Sequence, residues 1–466
     1  MPPPASVAVS GGSEPDVRSR GGARDILRLA VPALPVLAAE PLYLLVDTAV
    51  VGRLGGLPLA SLAVAAVLFA QVTTQLTFLS YGTTARAARF YGAGRRSAAV
   101  TEGVQATWLA VVVGLLVIAA GQLLAAPVAG VLAGGGDIAA GAVSWLRIAL
   151  FGAPLVLVTL AGNGWMRGVQ DTRRPMYYVL AGNGLSALLC PFLVHGAGSW
   201  DGWGLEGSAV ANVVAQAVSA GLFLRALAAE RRRAPSSDPV RFAPDAAVLR
   251  AQVTMGRDLV IRSLGFQACF LSATAVASRF GAESVAAHQV VLQLWVFQSL
   301  VLDAVAIAAQ ALVGSALGAA RDREGTAGAR AVAARVTRYG LLLGCVFGVV
   351  FAALYPVLPG VFTTDAAVLA TIPAAWWFFT ALQPVAGVVF ALDGVLLGAG
   401  DAAFLRTTTL LAAVCGFLPL IWLSLAFGWG LAGIWTGLAM FMVVRLVAVG
   451  LRARSGRWAV PGTVRA

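Results

Sequence analysis

Twelve long apolar runs, separated by short polar or glycine-rich breaks, constrain this chain more than any other feature. About 20 apolar residues span a bilayer as a helix, and a helix satisfies its own backbone hydrogen bonds in hydrocarbon. The runs fall near 27–51, 57–83, 98–126, 138–166, 176–196, 204–228, 255–280, 285–316, 330–356, 366–395, 405–427 and 430–451. The expected fold is an all-α polytopic membrane protein with twelve transmembrane helices. Composition agrees: 59% of the 466 residues are hydrophobic and 12% are charged, against about 25% charged in an average soluble domain. Too little charged surface remains for a cytosolic enzyme or a secreted domain, so the lipid bilayer is the expected surrounding.

The net charge of +12 raises the question of nucleic acid, and position answers it. All the basic side chains are Arg. With the N-terminus in the cytoplasm, the inner segments hold Arg86, Arg89, Arg95, Arg96, Arg167, Arg173 and Arg174. They also hold Arg231, Arg232, Arg233, Arg321, Arg323, Arg330, Arg452, Arg454 and Arg457, whereas the outer ends hold only Arg53, Arg147 and Arg279. This bias predicts both termini in the cytoplasm, with the chain in the inner (plasma) membrane of a cell. The positive charge then faces the anionic leaflet and no nucleic-acid partner is expected. Cys190, Cys269, Cys345 and Cys415 lie inside apolar runs like small core residues, so neither a disulfide nor a metal pair is expected. The first 23 residues are rich in Pro, Gly, Ser and Arg and lack the apolar core of a signal peptide.

The stretch from Glu230 to Asp245 divides the chain near its middle. The expected organisation is a disordered cytoplasmic tail (1–24), a six-helix N-lobe (25–229), a linker (230–250), a six-helix C-lobe (251–452) and a second tail (453–466). The halves resemble each other. An offset of 226 aligns Asp47–Gly55 with Ala273–Gly281 at five of nine positions and pairs Gly92, Ala93 and Arg95 with Gly318, Ala319 and Arg321. A slightly larger offset pairs Gly168 and Asp171 with Gly398 and Asp401. Six helices per half keep both halves in one orientation, so the repeat is parallel and pseudo-symmetric about the membrane normal. Two such lobes around a central cavity can alternate access.

Ionisable groups inside a span cost roughly 2.5–3.5 kcal/mol each on insertion scales, so each is a candidate for function. Asp47 lies deep in the first run, and its repeat counterpart is Ala273. Either helix packing satisfies it, or it is a carboxyl that loads and releases a proton near neutral pH. Glu40 lies two turns earlier on the same face and either shares a proton or cation with Asp47 or packs elsewhere. Pro32, Pro35 and Pro41 make this run the one most open to bending. Asp258, Arg262 and Asp303 form a second group in the seventh and eighth runs. Here the sequence predicts an Arg262–Asp303 pair that serves packing and register. Asp393 is read as a cap on the turn that follows it.

Neutral polar groups such as Gln71, Gln75, Asn183, Gln216, His288 and Gln383 are expected to hydrogen-bond between helices. Tyr43 stands out, because its hydroxyl lies one turn from Asp47 and is expected to reach the carboxylate. No phosphate loop, HExxH, GxSxG or Cys/His cluster is present. ATP hydrolysis and metal or serine chemistry therefore find no support; no catalytic or metal-ligating residue is assigned and no enzyme is expected.

Several segments resemble the multidrug and toxic compound extrusion (MATE) family. They are Leu29–Gly55, Arg167–Met176, Ala286–Trp295, Leu302–Gly314 and Leu392–Asp401, and they occur in family order. The Asp of the first run and the segment Asp258–Gln267 are similar to the DinF-like branch. The resemblance implies a monomeric two-lobed antiporter in which cation influx drives export of amphipathic, often cationic, small molecules. It implies no cofactor beyond the coupling ion, a proton in preference to sodium. Asp47 takes the place of the coupling group, and Tyr43 and Asn163 match its polar cluster. Ser186 and Cys190 stand where relatives commonly have Asn and Asp, and Asn212 stands where Thr is common. Glu40 is the one nearby acid available to compensate for the lost carboxylate. Two alternatives remain: a lipid or glycolipid flippase, which should hold a basic cavity for phosphate whereas Arg262 is the only membrane-buried Arg expected, and a channel or scaffold without transport.

Overall fold

The computed structural model describes residues 22–235 and 237–463. The disordered tail expected over 1–24 lies outside the described residues except at its end, where Ala23 and Arg24 open the first helix. Among the described residues the chain is helical, with one isolated bridge between Ala197 and Trp200. Twelve helices are long and apolar enough to cross a membrane. The N-terminal six are α1 Ala23–Gly52, α2 Gly56–Gly92, α3 Arg96–Ala133, α4 Gly136–Gly168, α5 Arg173–His195 and α6 Gly204–Arg233. The C-terminal six are α7 Ala246–Phe280, α8 Ala282–Ala319, α9 Ala327–Leu354, α10 Pro373–Gly398, α11 Ala402–Phe427 and α12 Gly430–Ser455.

The runs correspond one to one with these helices, but several helices outrun their apolar stretch. α2 continues to Gly92, so Arg86 and Arg89 are helical, and α6 carries Glu230 to Arg233 as its last turn. Backbone hydrogen bonding continues where hydrophobicity stops, so a hydropathy reading ends such helices too early. The tenth run splits instead: Ala366–Thr371 forms a separate short helix capped by Asp365, and Pro373 opens α10. α1 is continuous through Pro32, Pro35 and Pro41. Breaks fall elsewhere, at Thr77 in α2 and in a π-helical turn over Ala412–Phe417 in α11.

Small residues set how the halves meet. A Cβ added at Gly92 of α2 would overlap the carbonyl of Ser315 in α8, and one added at Gly318 would overlap the carbonyl of Arg89. The offset of 226 carries Arg89 onto Ser315 and Gly92 onto Gly318. The two contacts are therefore one contact repeated about a pseudo-twofold axis. Ala88 and Gly314 differ by the same 226 and face each other, with Cβ positions 2.8 Å apart, so they sit on that axis. Inside each half the pattern recurs: Gly164 of α4 packs on the Ser80 carbonyl, and Gly394 of α10 packs on that of Ala306.

The same end of the molecule gathers further contacts. Ile26, Leu29, Ala30 and Ala33 of α1 share a core with Ile307 and Leu312 of α8. After α12 the chain folds back, and Trp458 is buried in that core. Arg89 donates from Nη1 to the carbonyls of Val460 (3.1 Å) and Gly462 (2.8 Å), and from Nη2 to that of Ala399 (2.9 Å). The Gly462 N–H donates to the Leu317 carbonyl at 3.1 Å. The second tail is thus packed across the junction of the halves through Gly462.

Candidate functional site

In the N-terminal half, α1, α2, α4, α5 and α6 enclose a cavity of about 140 Å³. Glu40, Tyr43 and Asp47 line it from α1, Asn163 from α4 and Asn212 from α6. Asp47 is fully buried. Its Oδ1 accepts a hydrogen bond from Cys190 Sγ of α5 at 3.3 Å, while Oδ2 has no partner among the described residues. Ser208 of α6 stands beside the carboxylate, and its Oγ accepts from Trp145 Nε1 at 2.7 Å. The expected Tyr43–Asp47 hydrogen bond is not formed. The Tyr43 hydroxyl is buried among Asp47, Ser186, Cys190 and Asn212 with no hydrogen-bond partner among the described residues. One turn of helix brings Tyr43 near Asp47, but the side chains lie side by side along α1 and Cys190 reaches in from α5 instead. Asn163 Oδ1 and Ser186 Oγ are likewise unpartnered. The site therefore offers several buried polar atoms around one carboxylate and has capacity for a further ligand. Glu40 is exposed to the cavity two turns from Asp47.

The second group rearranges. Arg262 does not pair with Asp303. Its Nη2 donates to Asp393 Oδ2 of α10 at 2.5 Å, and Arg445 Nη2 of α12 donates to the same oxygen. Asp303 instead accepts from the hydroxyl of Tyr81 in α2, across the two halves, at 2.6 Å. Asp258 belongs to neither arrangement: it pairs with Arg406 of α11 at 2.7 Å and with Arg257 at 3.0 Å. Spacing along α7 and adjacency of α7 and α8 suggested the original set, but interhelix geometry decides, and α10 and α11 supply the nearer partners. Asp393 is no turn cap; it is a buried hub inside α10.

These groups border a cavity of about 400 Å³ formed by α2 and by α7, α8, α10 and α12. Arg262, Asp303, Asp393 and Arg445 line it together with Phe266, Phe270, Trp295, Phe390 and Phe441. Three members escaped the sequence reading. Arg445 lies inside the last run and is buried, so Arg262 is not the one membrane-buried Arg that the sequence suggested. Arg167 was assigned to an inner segment, yet it is buried at the end of α4, with Tyr81 and the Asp303 carboxylate as its neighbours. Tyr81 carried no signal at all. His288 is buried with both ring nitrogens unpartnered among the described residues, its ring set edge-on to Trp435 at 6.0 Å.

A parallel helical repeat, a cavity between its halves and a buried carboxylate in one half together define a two-lobed membrane transporter fold. The MatE family model matches residues 32–192 and 259–422, one match in each half. The chain belongs to the multidrug and toxic compound extrusion family and is an efflux transporter of that family. Among its relatives, the protein named DETOXIFICATION 44, chloroplastic, of Arabidopsis thaliana is 32% identical, over 93% of this chain and 83% of its own length. DNA damage-inducible protein F of Escherichia coli (strain K12) is 30% identical, over 92% of each chain. A crystal structure titled MATE in the bent conformation shares the fold with a TM-score of 0.85 at 18% identity, over 94% of this chain and 96% of that one.

Proposed function

We propose that the protein is a proton-coupled antiporter that exports amphipathic organic compounds by alternating access between its two halves. Asp47 is the coupling group. The observation that carries this reading is a fully buried carboxylate, one of whose oxygens has no partner among the described residues, on a helix that contains three prolines. Such a group changes charge when a proton enters, and the charge change biases α1 between packings of similar energy. Glu40 stands at the same cavity and passes protons to and from Asp47. The Cys190 thiol replaces the second carboxylate common in relatives, so one proton per cycle is the natural stoichiometry. With both termini in the cytoplasm of a cell bounded by this membrane, the end joined by Gly92, Gly318 and the C-terminal segment is the cytoplasmic gate, and it is closed.

Uptake of a panel of amphipathic cations, anions and zwitterions into inverted proteoliposomes, under separate proton and sodium gradients, tests the reading. Asp47→Asn should insert and bind cargo but lose proton-driven transport. Full transport by that variant, or transport driven by sodium alone, overturns it. Arg445 beside Arg262 favours a second reading, movement of an anionic lipid, because the cavity holds two guanidinium groups where a flippase needs a basic site.

A further inference from the structure

The cavity between the halves has more positive than negative charge near it. Arg262 and Arg445 share a single carboxylate oxygen, Asp393 Oδ2. Asp303 is engaged by Tyr81, and buried Arg167 is the next cation behind that pair. Two guanidinium groups and two carboxylates line the cavity, and Arg167 behind Asp303 makes the local balance positive, whichever carboxylate carries a proton. Burying uncompensated charge is strongly unfavourable. The Arg445 side chain is only 2% exposed, and the Nε atoms of Arg445 and Arg262 have no hydrogen-bond partner among the described residues. Both guanidinium groups lie against one ring, Phe266, at 4.8 and 5.5 Å from its centroid. The opposite walls, from Phe270, Trp295 and Phe390, are aromatic.

We propose that this cavity binds amphiphiles bearing an acidic group (carboxylate, phosphate or sulfonate), with Arg262 and Arg445 clamping that group and the aromatic wall covering the apolar body. Planar, bidentate guanidinium forks suit such oxyanions. The acid takes the position of a second counter-ion to the Arg pair, beside the one Asp393 supplies. A basic group elsewhere on the same molecule finds Asp393 Oδ1, which has no partner among the described residues, so zwitterions fit as well. This deepens the exporter reading by naming its cargo class, and it locates the cargo away from the coupling carboxylate in the other half.

The test is calorimetric binding to the full chain in phosphatidylcholine nanodiscs, without any gradient. The probes are 1-naphthylacetate, its neutral amide and 1-naphthylmethylamine. The acid should bind at least about tenfold more tightly than the amide, and Arg445→Gln should remove that advantage while leaving the amide unaffected. Asp393→Asn removes the competing carboxylate and should tighten acid binding, a change opposite in sign to damage from misfolding. Equal binding of all three probes, preference for the amine, or weaker acid binding in Asp393→Asn overturns the proposal. Repeating the titration with phosphatidylglycerol in the disc identifies the source of the acid: competition points to a lipid headgroup, and unchanged affinity to a soluble organic acid. Because no gradient is used, failure here leaves the Asp47 transport assay untouched, and the reverse also holds.

Discussion

At the level of single residues, the contrast between Asp47 and Asp393 shows what a one-dimensional reading can reach. Asp47 sits deep in an apolar run, and the high cost of a charge in hydrocarbon marks it without any knowledge of neighbours. Asp393 carried the same signal but sat near a glycine-rich turn, where capping explained it equally well. Its two Arg partners come from α7 and α12, 131 and 52 residues away in sequence. Pairing over such distances is decided by helix packing, which spacing does not encode. Cys190 is the intermediate case: likeness to relatives marks the position, and only the structure shows the thiol donating to Asp47. That contact can be tested directly. Cys190→Ser keeps a donor and should retain proton-driven transport, whereas Cys190→Ala leaves Asp47 Oδ1 without its partner. Leaving a buried acceptor unsatisfied costs about 1–3 kcal/mol. A lower melting temperature and slower proton-driven efflux are expected for the Ala variant, with the Ser variant near the parent in both.

Among the helices, hydrophobic periodicity was a good guide to existence and a poor one to ends and bends. All twelve runs became helices, because satisfying backbone groups in a bilayer leaves few other options. The prolines of α1, which leave it open to bending, are accommodated within one continuous helix, and α2 interrupts at Thr77 with no proline present. The repeat was more informative than the propensities. Gly92 and Gly318, found as weak matches between halves, are the two residues whose lack of a side chain lets α2 and α8 touch backbone to backbone. Gly92→Val and Gly318→Val should therefore cost similar amounts, about 1–3 kcal/mol of overpacking or more, while Gly130→Ala, with open space around it, should cost little. Thermal unfolding of the detergent-solubilised variants checks both the size and the equality. A large difference between the two valine variants would mean that the crossing is not the shared contact that the pseudo-symmetry requires.

For the molecule as a whole, several of the arginines flanking the apolar runs are tied to carboxylates by ion pairs. Arg86 pairs with Glu102, Arg96 and Arg174 with Glu230, and Arg452 with Asp401. Arg89 is different in kind, because its guanidinium joins α2 to the carbonyls of Ala399, Val460 and Gly462 in the other half. Every one of those bonds must break when the halves separate at this end. Losing Arg89 should thus shift the population toward the state open there, by a factor set by its differential contacts in the two states. Ala88 reports on that shift: it is fully buried on the pseudo-twofold axis, against Gly314. In a chain with the exposed Cys345 and Cys415 replaced by Ser, Ala88→Cys should react slowly with a membrane-impermeant maleimide. Adding Arg89→Gln, or ending the chain after Ser455, should raise the labelling rate several-fold, from the side that carries the termini. An unchanged rate in both would show that apolar packing alone holds this end shut, with the C-terminal segment a passenger on it.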